Sequence, residues 1–330
     1  MSFFAVLFAL IVEQVKPLPR DNWVHDSLTA WVRWTGRNFD AGQPKHARIV
    51  WAVTALVPAL IAWAIHFALS QYVSFFLALA FDVAVLYLTL GFRQFSHYFT
   101  DIRDALERGD EDQARSLLAE WRHLDTSELP RTELLRHVIE HSLLAAHRHV
   151  FGVFFWFVVL SGLGLGPAGA VLYRMAEFAS RYWAFKSLSL GVAVNEGLRD
   201  LSQKAFALID HVPARLTAFG FAVVGNFEEA VAGWRRDAEL WKHANEGIIL
   251  AAAAGAVGVQ LGGASAPGVT PDRSKSFTVG VDAADGEASG STPGLPPQLA
   301  HLGAVVGLVW RSVVLWMLLL ALLTLANLLG

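Results

Sequence analysis

The chain has 330 residues, 54% hydrophobic and 17% charged, with a formal net charge of −3 and a mean hydropathy of +0.42; a soluble domain carries about 25% charged residues, so a polytopic membrane protein is expected. Its 26 basic residues are interleaved with 29 acidic ones, leaving no basic stripe for nucleic acid. Cysteine is absent, which excludes disulfides, thiolate nucleophiles and Cys-bound metals.

Residues 1–48 read as a short membrane segment, Phe3 to Val12, followed by basic cytoplasmic sequence. Met1 and Ser2 give no basic start and Glu13 no small-residue cleavage site, so this first helix is expected to be retained. Ile49 to Leu69 and Tyr72 to Phe92 each reach spanning length. Only Ser70 and Gln71 separate them, so 49–92 reads as a transmembrane hairpin with an outward tip. The flanks, Glu13 to Arg48 and Arg93 to His149, carry six and eight Lys or Arg, which places both in the cytoplasm. Asp82 lies mid-window, where a carboxylate needs a partner. His66 is the expected one, in a structural pair or an ion path.

Residues 93–149 form a cytoplasmic helical insert. Ser96 to Leu124 reads as two amphipathic helices, with Gly109 closing the first and Asp110 and Gln113 at capping-box spacing. Ile102, Leu106, Leu117, Leu118 and Trp121 supply the packing face. A further helix starts near Ser127 to Pro130, with Glu128 in its first turn. On it, His137-Val-Ile-Glu140-His141 has the H-x-x-E-H form of a zinc site, two imidazoles one turn apart with a carboxylate as base. His137, Glu140 and His141 are therefore weak metal candidates; hydrogen-bonded interfacial histidines are the alternative. At about 100° per residue, these three, His147 and Arg148 share an arc of roughly 120°.

Residues 150–263 form the membrane core. Within Val150 to Tyr173, the run Ser161-Gly-Leu-Gly-Leu-Gly-Pro-Ala-Gly169 breaks the helix and lets the chain dip in and return as a re-entrant hairpin. A single crossing would strand Arg174, Arg181, Lys186, Arg199 and Lys204 outside. Phe206 to Val224 then sets Asp210, His211, Pro213 and Arg215 in lipid-like sequence, and such residues mark a site. Arg215 suits phosphate or carboxylate, held by Asp210 and His211. Alternatively Pro213 starts a membrane helix, Asp210 and His211 cap it, and Arg215 snorkels. Residues 264–300 are rich in Gly, Ser, Pro, Ala and Asp and read as a flexible loop. The last segment, 301–330, reads as a transmembrane helix with Arg311 near its start. The expected fold is all-α: a polytopic integral membrane protein with a small cytoplasmic helical insert and a re-entrant hairpin.

Several segments resemble one family in order and spacing. They are Asp125-Thr-Ser-Glu-Leu, Glu140, Gly166-Pro-Ala-Gly-Ala-Val-Leu-Tyr173, Val212-Pro-Ala-Arg-Leu216, Asn245 and Gly258-Val-Gln-Leu-Gly-Gly263. Together they resemble the CobD/CbiB membrane proteins from about Ile49 to Gly263, with a similar C-terminal span. The opening Phe-Phe-Ala-Val-Leu-Phe-Ala-Leu-Ile-Val-Glu resembles the AmpE branch of that superfamily. The resemblance implies a bacterial inner-membrane protein of cobalamin biosynthesis. In that family adenosylcobyric acid is joined to aminopropanol or its phosphate, with Mg-ATP as implied activator and a corrinoid as substrate. Acidic positions of the family pattern are substituted here by Leu144, Arg148, Ser180, Phe206, Ala207 and Leu250, and an Asn position by Ala145. A second class therefore stays open, an AmpE-like membrane sensor or regulator tied to cell-wall stress and β-lactamase induction. In either class Glu140, Asp210, His211, Arg215, Asn245 and Glu246 are the candidate contacts for a corrinoid or other anionic small molecule, with the lipid bilayer as the other partner.

Overall fold

A computed structural model describes residues 2–16, 23–40, 42–122, 126–127, 129–188, 195–263 and 289–329. Asp125, Glu128 and residues 264–288 of the expected loop lie outside these. The described residues are helical apart from loops and two isolated β-bridges.

The first half runs α1 (Ser2–Val15), α2 (Trp23–Phe39), α3 (Pro44–Ala68) and α4 (Phe75–Thr89). A π-helical turn, Leu69–Val73, extends α3, and Ser74 then caps α4 by accepting from the Phe76 N–H at 3.2 Å. The second long hydrophobic window is therefore divided between that turn and a 15-residue helix. At about 1.5 Å per residue α4 measures roughly 22 Å, short of a hydrocarbon core of about 30 Å. His66 Nδ1 lies 2.7 Å from Asp82 Oδ1, so the paired reading of these two residues describes the contact between α3 and α4.

The insert folds as α5 (Phe92–Glu107) and α6 (Glu111–Arg122). Gly109 takes φ +79 between them, and Asp110 Oδ1 accepts the Gln113 N–H at 2.9 Å. The reciprocal half of the capping box is missing, because Gln113 Oε1 instead accepts from Arg108. Ile102, Leu106, Leu118 and Trp121 are buried in the main core.

Next come α7 (Arg131–Ala146), a π turn (His147–Phe151) and α8 (Gly152–Gly162), which run without a break. Arg131–Gly162 is long and apolar enough to cross a membrane, as are Lys45–Val73 and Leu299–Ala326. The first of these is the interior one: 72% of its most apolar stretch is buried, against 22% and 28% for the other two. After α8 the chain turns at residues 163–167 into α9 (Ala168–Leu188), so the Gly-Pro run is the tip of a hairpin between two long helices; a dip and return within Val150 to Tyr173 was expected, whereas the helical stretch before the tip, Arg131–Gly162, has the length of a full span. Gly166 makes this turn with φ +54, and a Cβ there would strike the His66 ring. The tip of the hairpin thus sits beside the end of α3.

The rest comprises α10 (Glu196–Ile209), α11 (His211–Val224), α12 (Phe227–Asp237), α13 (Ala244–Val257) and α14 (Leu299–Leu329). Taken together, α10 and α11 are long and apolar enough to cross as one span bent by 47°. The core gathers Leu134 and Ile139 from α7, Phe157 from α8, Phe221 from α11, Leu250 from α13 and Leu308 from α14.

Candidate functional site

The 47° bend is where the polar residues meet. Pro213 has no N–H to donate to the carbonyl four residues back, at Ile209. That orphaned oxygen accepts instead from the Trp156 indole N–H at 3.0 Å, a substitution that lets a helix break within apolar surroundings. Asp210 closes α10 and opens α11: its N–H donates to Phe206 O and its carbonyl accepts from the Ala214 N–H. Its carboxylate is left free to point inward, and the residue is buried.

Three donors converge on that carboxylate. Tyr173 Oη donates to Oδ1 at 2.8 Å, His147 Nε2 lies 2.8 Å from the same oxygen, and Asn245 Nδ2 donates to Oδ2 at 3.2 Å. An ionised carboxylate only accepts, so Nε2 carries the imidazole proton; in the neutral ring, Nδ1 then accepts from Thr217 Oγ1 at 2.9 Å. Asn245 also donates to Ala207 O at 2.9 Å, which turns its Oδ1 towards Arg215 Nη1 at 3.5 Å. Arg215 is half-buried, donates to the His211 carbonyl at 2.9 Å, and makes no ion pair among the described residues. Beside this set, Arg148 Nη2 donates to Glu246 Oε1 at 3.0 Å, and Glu177 is held between Arg174 and Arg181.

Asp210, Arg215 and Asn245 therefore form one connected group, with Glu246 next in chain. His211 contributes its carbonyl, while its side chain is exposed. Glu140 is engaged elsewhere: it accepts the Gly262 N–H at 2.7 Å, and Arg136 donates to the Gly262 carbonyl. These two side chains pin the 258–263 loop onto α7. The H-x-x-E-H residues also diverge. His137 Nδ1 accepts from Arg122 Nη1 at 2.8 Å, and the His141 ring packs edge-on against Trp121 at 4.4 Å. Among the described residues no three His, Asp or Glu side chains are grouped as a metal would need.

A family model described as CobD/Cbib protein matches residues 3–274. The chain belongs to this family. A Stutzerimonas stutzeri relative named Cobalamin biosynthesis protein CobD is 29% identical over 279 residues, 84% of this chain and 82% of that one. A Chromobacterium violaceum relative of the same name is 35% identical over 184 residues, 55% of each chain. A third, from Leptospira interrogans, is 24% identical over 272 residues, 78% of this chain and 80% of its own. No solved structure matches the chain.

The Mg²⁺ implied for this family does not fit the donors found here. Mg²⁺ is held by carboxylate oxygens in near-octahedral geometry. Both Asp210 oxygens already accept hydrogen bonds, Glu246 faces Arg148, Glu177 faces two guanidinium groups, and Glu140 faces a backbone N–H.

Tyr173 and Thr217 were not among the residues singled out from the sequence, and His147 was placed on the wall of another site. Tyr173 did stand in a family-like segment. The signal for Thr217 was an uncharged hydroxyl on an apolar helix, too common to distinguish it from a residue bonded to its own backbone.

Proposed function

We propose that the chain is an inner-membrane protein of cobalamin biosynthesis that binds the anionic part of a small substrate at Arg215. The observation carrying this reading is the family match over residues 3–274, joined to relatives that bear the cobalamin name. The His211 carbonyl and, at longer range, Asn245 hold one nitrogen of Arg215 while its guanidinium stays half-exposed, an arrangement suited to receiving an oxyanion. Two anionic groups belong to the reaction that the resemblance implies. One is the carboxylate of adenosylcobyric acid, and the other the phosphate of aminopropanol phosphate. In this reading the product is the amide between the carboxyl group of adenosylcobyric acid and the amine of aminopropanol phosphate, the carboxylate oxygen that is lost leaving after activation by ATP, while the phosphate is unchanged.

A growth experiment tests it. With the coding sequence deleted from its host, corrinoid-dependent growth is expected to return with the amide product and not with adenosylcobyric acid. Growth on adenosylcobyric acid by the deletion strain contradicts the proposal.

A further inference from the structure

The carboxylates around the bend share one feature: each faces a cation or a set of N–H and O–H donors. Glu246 lies against Arg148, with side chains 13% and 7% exposed, and Glu177 is fully buried between Arg174 and Arg181. Asp210 takes three donors with its two oxygens. A buried carboxylate paired in this way has its charge balanced within the protein, and a metal would have to displace those partners. Arg215 differs from the other guanidinium groups of the centre in making no direct ion pair among the described residues, Asp210 reaching it only through Asn245, and it is also half-exposed.

From this we infer that the carboxylates of the centre are internal counter-charges, and that the site takes a phosphate or carboxylate group directly on guanidinium without a bound divalent cation. The inference rests on the anion contact proposed above for its ligand half; its metal half stands on the donor geometry alone.

The test uses the full chain in maltoside with inorganic pyrophosphate as probe. Binding is expected to be the same in EDTA and in excess Mg²⁺, and to weaken by about tenfold or more in Arg215→Ala. Arg215→Lys, which keeps the charge, is expected to fall between. Binding that needs Mg²⁺ overturns the inference. Mn²⁺ uptake, read by electron paramagnetic resonance without pyrophosphate, separates the two halves. No stoichiometric Mn²⁺ is expected, and uptake that disappears in Glu246→Gln or Asp210→Asn overturns the metal half. If pyrophosphate binds under neither condition, the anion reading at Arg215 fails, and the Mn²⁺ result alone decides the role of the carboxylates. Equal affinity in maltoside and in phosphatidylglycerol nanodiscs supports a soluble anion; loss in the nanodiscs assigns Arg215 to lipid phosphate and overturns the ligand half.

A thermal-unfolding cycle tests the counter-charge role directly. Arg148→Gln and Glu246→Gln are each expected to lower the midpoint, and the double variant to lie above both. Simple additivity of the two losses contradicts it.

Discussion

At Asp210 one carboxylate fixes side chains from three other segments: Tyr173 on α9, His147 on the π turn and Asn245 on α13. Asp210→Asn leaves at least one of these buried donors without an acceptor, at about 1–3 kcal/mol. Tyr173→Phe removes one donor while the carboxylate keeps two others, so its cost is expected to be smaller, about 1 kcal/mol. Thermal unfolding in detergent checks the order; a Tyr173→Phe variant less stable than Asp210→Asn contradicts it. Asp210 and Arg215 were legible in the sequence, because charges in an apolar run are conspicuous. Asn245 was picked out only by its family-like position, and His147 and Tyr173 were not tied to this group. His147 is 63 residues from Asp210 and Asn245 is 35 away, and such contacts are set by how helices pack.

Between α10 and α11, the bend depends on Pro213 and on the Trp156 indole that takes its place as donor to Ile209 O. Trp156→Phe is expected to cost about 1–3 kcal/mol by leaving that carbonyl unpaired. In a Pro213→Ala background the hydrogen-bonding loss should shrink, because the new N–H reaches the same oxygen. Equal costs in both backgrounds, measured by thermal unfolding, would show that the indole is not replacing the lost donor. Close helix packing supports the same region: a Cβ at Gly152 would strike the Tyr173 ring, so Gly152→Ala is expected to destabilise by about 1–3 kcal/mol through overpacking. Local chemistry was readable at this scale. The Asp110 cap, the turn at Gly109 and the Gly-Pro hairpin each depend on neighbouring residues. The π turn at His147–Phe151 was not; residues placed on one arc also differ in height along the axis, by about 15 Å from His137 to His147 at about 1.5 Å per residue, and so serve different groups. Hydropathy likewise merged the turn at Leu69–Val73 with α4, since an average over a window does not register the Ser74 cap.

Across the whole molecule, absence of cysteine permits single-cysteine labelling without background. The hairpin tip lies beside His66 near the end of α3, and Tyr72 and Leu163 are exposed there. Cysteines at these two positions are expected to react from the same membrane face, and one at Asp112, on the insert, from the opposite face. Labelling of positions 112 and 163 from one face contradicts this arrangement. The all-helical membrane fold was readable from composition and hydropathy because both report on the solvent that surrounds the helices. The centre within it depends on which polar groups the buried helix brings together. Its proposed role is tested most directly by titrating adenosylcobyric acid and aminopropanol phosphate into the purified wild-type protein and into Arg215→Ala. At least one of the two is expected to bind the wild type, with affinity reduced about tenfold or more in the variant. Binding of neither compound, or equal binding to both proteins, contradicts the assignment of Arg215 as the anion contact.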